Sequence, residues 1–260
     1  MDYIKINRES WNKCCIHHYN SKFYDVESFI NGKSSLNDIE LNLLGDIKGN
    51  NVIHLQCHFG QDSISLARLG ANVVGVDLSD VAIDKAKELN NLCKTNAEFV
   101  CSNVYDVLEN VNEEFDIVFT SYEVIGWLPD LDKWAKVISG LLKENGKLIF
   151  VEFHPFIWMY DDNLEYIQYN YFKDEMIYEK KAGSYADVNE EIYEHCTWNH
   201  SVSEVFGALR RAGLRIDDLQ EFDYSPYNIF DGMKEVEKNK FIIEKFGNKI
   251  PLVYSIVASK

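Results

Sequence analysis

Nowhere in this 260-residue chain do apolar residues run on for the roughly 20 positions that a bilayer-crossing helix needs. The opening MDYIKINRES lacks the apolar stretch of a secretory signal, so a cytoplasmic location without a membrane partner is the expectation. Cations are short as well: 26 Lys and Arg stand against 42 Asp and Glu, a net charge of −16. A surface of that sign repels phosphate backbones, and there is no basic stripe to offset it, so nucleic acid is excluded as the expected partner. No CxxC pair occurs among the six cysteines, which points to free thiols in a reducing compartment rather than disulfides. Cys14 and Cys15 lie beside His17 and His18. Neighbours on a helix point about 100° apart and lack metal-ligand spacing, so no metal is expected. Internal repeats and low-complexity segments are missing too. With 46% hydrophobic residues the chain reads as one domain able to bury a sizeable core.

From Gly49 onward, short apolar strands alternate with amphipathic helices. NVIHLQ, ANVVGVD, AEFVCS, FDIVFTS and GKLIFVEF read as five strands. Between them fall helices over Asp62–Leu69, after an N-capping Ser79, and over Leu131–Leu142, the last closed by Asn145-Gly146. Near-continuous apolar strands separated by helices predict a parallel sheet covered on both faces, an α/β doubly wound core. After Phe153 the rhythm breaks into a Tyr- and Trp-rich stretch with short β-like pieces, LEYIQYNYF and MIYEKK, too long for a plain loop. SVSE then forms a capping box for a helix ending near Gly213, and LRIDDLQEF and PLVYSIVAS supply two further strands joined by a hairpin-like excursion. The total is seven. The segment before Gly49, with Trp11, Tyr19, Phe23, Tyr24 and Phe29, is either a helix packed on the sheet or a lid.

Glycine is scarce where a nucleotide-binding α/β domain usually needs it. The corner after the first strand reads HLQCHFGQD, with Gly60 its single glycine. Dinucleotide loops use several glycines so that backbone amides approach a pyrophosphate. A cofactor without phosphates has no such need, and S-adenosylmethionine has a ribose, an adenine, a sulfonium and a methionyl zwitterion instead. Asp77, roughly 20 residues on at the end of the second strand, suits ribose hydroxyls; the competing reading has it merely capping the next helix.

The chain resembles the class I S-adenosylmethionine-dependent methyltransferases, which share a seven-stranded, mostly parallel Rossmann-like fold. Within them it is similar to a bacterial small-molecule-type subgroup whose first motif is HLQCHFGQD. SKFYDVESF, TSYEVIGWLPDLDKW, EFHPFIWMYDD, GSYAD, WNHSVSEVFGALRRAGL and SPYNIF extend the similarity over nearly the whole chain. The resemblance implies S-adenosylmethionine as cofactor and S-adenosylhomocysteine as product. It implies a single domain over 1–260, with a helical lid (1–48), a cofactor-binding core (49–153), an insertion over the active site (154–199) and a C-terminal helix with the last strands (200–260). Gln56, Cys57, His58 and Gly60 would hold the methionyl part, Asp77 and Leu78 the ribose, and Asn103 and Val104 the adenine. Ser121 and Tyr122 would touch the methionyl amine, with Trp11 and Tyr24 closing over the cofactor. Glu123 departs from the small residue that the subgroup carries there, and falls on the acceptor side.

Methyl transfer needs alignment and exclusion of water, and a base only if the acceptor arrives protonated. His154, just past the fifth strand, is the candidate catalytic base, against a structural role in that turn. Trp158, Tyr185 and His200 are substrate-side candidates. Tyr160, Tyr169 and Tyr171 are further aromatics for the pocket, and His54 reads as a core histidine. His58 faces either cofactor or solvent. A small-molecule O, N or S acceptor leads. The alternatives are a non-catalytic S-adenosylmethionine-binding protein and a protein methyltransferase. A nicotinamide oxidoreductase is weakened by the glycine pattern, and a nucleic-acid amino-methyltransferase by SYEV standing where its Pro-Pro-aromatic motif belongs.

Overall fold

A computed structural model describes all 260 residues. The chain opens with three helices: α1 (Tyr3–Tyr19), capped by Asp2 accepting from the Lys5 amide, α2 (Val26–Ile30) and α3 (Asp38–Leu44). The alternating core follows as β1 (Asn51–Leu55), α4 (Gln61–Arg68), β2 (Asn72–Asp77), α5 (Asp80–Cys93), β3 (Glu98–Cys101), α6 (Val107–Asn110), β4 (Phe115–Ser121), α7 (Leu131–Leu141) and β5 (Leu142–Phe153). A hairpin, β6 (Ile177–Ala182) with β7 (Ile192–Thr197), precedes α8 (Val202–Arg211) and β8 (Arg215–Phe222). A second hairpin, β9 (Met233–Glu237) with β10 (Lys240–Ile243), leads to β11 (Val253–Ser259).

The central sheet has seven strands in the order β3-β2-β1-β4-β5-β11-β8. The first five are parallel, and β11 inserts antiparallel to both β5 and β8. This is the expected seven-stranded, mostly parallel Rossmann-like sheet, and the excursion between the last two strands is the β9–β10 hairpin. No helix is long and apolar enough to cross a membrane.

Strand side chains alternate between the two faces, and each face has its own core. Ile53 and Leu55 of β1 join Trp134, Ile138 and Leu141 of α7 and Val205 and Leu209 of α8. Val52, between them in phase, joins Ile64 and Leu66 of α4 and Ile83, Ala86 and Leu89 of α5. Burying each such aliphatic side chain contributes about 1.5–3 kcal/mol. Ser79 caps α5 by accepting from the Ala82 amide, so the helix start needs no help from Asp77.

Three local expectations are corrected. The helix α7 ends at Leu141 and the chain pairs with β4 at once, so Asn145 (φ 66°) serves an irregularity at the start of β5 and not a helix cap. LEYIQYNYF forms no strand, only an isolated bridge between Tyr160 and Ile167, whereas MIYEKK does form one, β6, paired with β7. At α8, Ser201 accepts from the Glu204 amide, but the Glu204 carboxylate lies 3.1 Å from His200 Nδ1 and does not return to the Ser201 amide, so the box is half made.

The chain runs outward from β1 to β3, then crosses back to β4 on the other side of β1. A crevice opens where the order reverses, at the carboxyl ends of β1 and β4.

Candidate active site

That crevice is a cavity of about 500 Å³, within the range of small-molecule sites. Its floor is made of the residues that follow β1, β2, β3 and β4: Gln56 to Asp62, Asp77 and Leu78, Ser102 to Tyr105, and Ser121 to Val124. Its roof comes from α1, through Tyr3, Ile4, Asn7 and Trp11, from Phe23 and Tyr24, from Tyr185 in the loop between β6 and β7, and from Pro226 to Ile229 after β8. Helix α1 therefore covers the crevice while packing against β7 and α5, and α3 packs on β5.

Five of the chain's nine non-glycine residues with left-handed backbone line this cavity: Gln56 (57°), His58 (50°), Tyr122 (50°) and Glu123 (55°) after β1 and β4, and Asn239 (57°) in the β9–β10 turn. Such residues cost on the order of 1–3 kcal/mol each and persist where their surroundings impose them. After β1 the constraint is a set of bonds. The His58 amide donates to Asp77 Oδ2 (2.7 Å), the Ser79 amide to Asp77 Oδ1 (2.9 Å), and Gln56 Nε2 to the Val124 carbonyl (2.7 Å). Gly60 (φ 79°) starts α4, and a Cβ there would stand 2.6 Å from the Phe99 ring, so the turn tolerates no side chain.

After β4 the constraint is one buried carboxylate. Glu152 Oε1 accepts from the amides of Glu123 (2.5 Å) and Phe153 (2.8 Å), and Oε2 from those of Val124 (2.8 Å) and Ile125 (3.3 Å). Burial raises this carboxyl and the four N–H groups pull it back. Glu123 itself is pushed up to about 7 by burial and by the Glu152 charge.

The donor set at the floor separates two kinds of cofactor. Asp62, Asp77 and Glu123 line the cavity, while Lys33 is its single Lys or Arg, at an exposed position and 3.1 Å from Asp25. Burial raises Asp62 and lifts Asp77 to about 6. A pyrophosphate finds no cation here, whereas a sulfonium and an amine find carboxylates. Gln56 Oε1 is buried without a hydrogen-bond partner, so a polar atom stands ready for a guest, while the Tyr122 hydroxyl lies by the Glu40 carboxylate. These residues fit S-adenosylmethionine.

All of the residues singled out for the cofactor lie on this cavity: Gln56, Cys57, His58, Gly60, Asp77, Leu78, Asn103, Val104, Ser121, Tyr122, Trp11 and Tyr24. Glu123 and Tyr185 line it as well, with the Tyr24 and Tyr185 hydroxyls 2.6 Å apart. His58 turns inward, its Nε2 3.1 Å from His18 Nδ1, whose Nε2 reaches Ser184 Oγ at 2.9 Å. His54 is 3% exposed and bonded to Ser63, yet its buried ring also borders the cavity.

The other candidates lie elsewhere. His154 is absent from the cavity wall; its Nε2 is 2.9 Å from Glu221 on β8 and its Nδ1 accepts from the Phe156 amide. With both nitrogens engaged it secures the turn after β5, the competing structural reading. His200 is 3% exposed, its Nε2 donating to the Leu128 carbonyl. Trp158 packs on Phe153 and Phe230. Tyr160 packs on Phe246, Tyr171 on Phe172, and Tyr169 bonds to Glu179. Sequence reasoning missed Asp62, Trp127 and Tyr227 as lining residues, although all three lie inside stretches that carried the resemblance: HLQCHFGQD, TSYEVIGWLPDLDKW and SPYNIF.

Comparison with known proteins agrees with this geometry. Residues 53–148 match the family described as "Methyltransferase domain". A ubiquinone biosynthesis O-methyltransferase of Coxiella burnetii (strain Dugway 5J108-111) is 28% identical over 194 residues, covering 74% of this chain and 76% of that protein. An S-adenosylmethionine-dependent methyltransferase from Clostridium acetobutylicum ATCC 824 superposes with a TM-score of 0.60 at 16% identity, over 95% of this chain and 98% of that one. Magnesium protoporphyrin IX methyltransferase from Synechocystis PCC 6803 with bound SAH gives a TM-score of 0.53 at 14% identity, over all of both chains. The chain thus carries a methyltransferase domain on a fold similar to that of class I methyltransferases. The chain is a methyltransferase whose methyl donor is S-adenosylmethionine.

Proposed function

We propose that this enzyme methylates a small-molecule O, N or S acceptor enclosed between the strand ends and the α1 roof, as in the subgroup with the HLQCHFGQD motif. The observation that carries this reading is the cavity itself, a carboxylate-bearing floor under a roof of aromatic side chains drawn from both ends of the chain. S-adenosylmethionine supplies, when bound, an electrophilic methyl group whose C–S bond breaks as the bond to the acceptor forms, the electron pair staying on sulfur. In this reading Asp77 takes the ribose hydroxyls with the lone pairs left over from the His58 and Ser79 amides. Asn103 and Val104 flank the adenine, Gln56 and the backbone to Gly60 pass along the methionyl group, and Asp62 with Ser121 faces its amine. Trp11, Tyr24 and Tyr185 exclude water. A protein segment is a poorer acceptor, because the roof covers the floor where a chain would have to enter.

Calorimetric titration with S-adenosylmethionine, S-adenosylhomocysteine and NADH tests the cofactor half. Micromolar binding of the first two and none of the third is expected, and NADH binding in their place refutes it. Methyl transfer from labelled S-adenosylmethionine to a small-molecule library, measured against a peptide library, tests the acceptor half. Turnover confined to peptides overturns it.

A further inference from the structure

The carboxylate of Glu123 has no work in holding the fold. Its backbone amide is fixed by Glu152 at 2.5 Å, its side chain has no hydrogen-bond partner in the protein, and it lines the cavity. Its charge bears on the Tyr24 and Tyr185 phenols, which burial already raises, so the carboxylate is near enough to the roof to act on it. The walls of the same cavity include Trp11, Trp127, Tyr24, Tyr122, Tyr185 and Tyr227. Aromatic faces carry negative charge density, and a desolvated cation over them is stabilised.

We propose that the acceptor is a small protonated amine, held by Glu123 among these rings, and that Glu123 removes its proton. This rests on the reading of the cavity as a methyltransferase site. The ammonium N–H proton passes to a Glu123 carboxylate oxygen, giving a neutral amine and a neutral carboxyl. The freed nitrogen lone pair is the one that forms the new C–N bond, and the product leaves as a methylated ammonium. Charge decides between this acceptor and a phenol. The protein itself offers Asp62, Asp77 and Glu123 to an acceptor and no free Lys or Arg, since Lys33 is paired at the rim, so the lining attracts an arriving ammonium and gives a phenolate no protein cation. Burial and Glu152 hold the Glu123 carboxyl near neutrality, which matches a group that takes and returns a proton at physiological pH.

The test uses the full-length protein loaded with S-adenosylhomocysteine and three matched probes: phenethylamine, 2-phenylethanol and catechol. Calorimetry is expected to show phenethylamine binding about tenfold or more tighter than either neutral probe. Glu123→Gln is expected to abolish that preference while leaving S-adenosylhomocysteine affinity within about twofold, which also shows that the variant folds. Tyramine, which carries an ammonium and a phenol on one ring, is expected to gain its methyl group on nitrogen by mass spectrometry. Equal binding of the three probes, preference for catechol, a preference that survives Glu123→Gln, or methylation of tyramine on oxygen each overturn the assignment. Failure of S-adenosylhomocysteine itself to bind is a different result, and it overturns the reading of the cavity beneath this one.

Discussion

The two halves of the cavity are built by different rules. The floor is made by consecutive strand ends of one sheet, between Gln56 and Val124, and each residue is placed by the β-strand before it. The roof is gathered from α1, the β6–β7 loop and the segment after β8, which meet only because the chain has folded: Asn7 on α1 exchanges two hydrogen bonds of 2.8 Å with the Cys196 backbone, 189 residues away. A floor of this kind serves what every member of the class shares, and a roof of this kind serves what distinguishes one member. If that division is right, damage to the face of the floor costs cofactor affinity, damage to the carboxylate that holds it from beneath costs stability, and residues outside both halves leave the chemistry untouched.

The largest effect belongs to Asp77→Ala. It removes the acceptor for the His58 and Ser79 amides and the proposed ribose contacts. With hydrogen bonds to a charged group each contributing about 1.5–3 kcal/mol, losing two such bonds to the ribose weakens S-adenosylmethionine binding by about 3–6 kcal/mol. Calorimetry that finds unchanged affinity removes Asp77 from the floor.

Next comes Glu152→Gln, beneath the floor where it follows β4. A glutamine offers one acceptor oxygen and turns an NH₂ toward amides that also donate, so the four N–H groups now on Glu152 are no longer satisfied together. Two buried donors left without partners destabilise the fold by about 2–4 kcal/mol, measurable by urea denaturation. A loss within experimental error shows that Tyr122 and Glu123 hold their left-handed backbone without it.

The floor was legible in the sequence because strand ends are set by apolar periodicity, and one strand length past Gly49 leads straight to Gln56. Asp77 followed from its distance along the chain. The roof was legible only in outline, as an aromatic segment before Gly49 that is either a lid or a packed helix. Nothing local in SPYNIF says that Tyr227 meets Phe23 and Tyr122, as its ring does at 5.9 and 5.1 Å, because those contacts cross the whole chain. His154 misled for the opposite reason. Its position at the end of β5 was read correctly, but β5 lies between β4 and β11, and the ring turns past β11 to Glu221 on β8, away from the crevice between β1 and β4. Sequence position gives the strand end; the choice of neighbour requires the sheet order.

A smaller effect separates the halves by pH. The Glu123 carboxyl ionises near 7 in the folded chain and near ~4.3 when unfolded, so the folded state keeps its proton longer. Its contribution to stability is fully present below the unfolded value and is lost as pH rises from about 4 through about 7. Glu123→Gln therefore gains on the wild type over that window, by on the order of 1–3 kcal/mol at pH 8, with no difference at pH 4. The buried histidines work in the other direction. His18 and His54 are held down to about 4 and about 3 by burial, so their contribution is lost as pH falls below the ordinary ~6.5. Denaturation curves of wild type and variant at matched pH cancel the histidine part. A gap that does not widen between pH 5 and pH 8 shows that Glu123 does not ionise against a buried negative environment.

The smallest effect is expected at His154, and it is the sharpest test of where the chemistry is not. His154→Ala removes a bond to a Glu221 side chain that is 54% exposed and the acceptor for the Phe156 amide, at 2.9 and 3.2 Å. The first contributes little, because an exposed carboxylate recovers water; the second leaves one amide at a turn that solvent can reach from the Glu221 side. A destabilisation of about 1 kcal/mol is expected, with the rate of methyl transfer and its pH profile unchanged. A general base at this position contributes roughly 100-fold or more, so the two outcomes are far apart. A rate that falls by that factor, in a variant whose S-adenosylmethionine affinity is intact, places the reacting proton at the β5 end of the sheet and breaks the division of floor from roof. An unchanged rate leaves the cavity between β1 and β4, with Glu123 at its acceptor side, as the place where a proton must be handled.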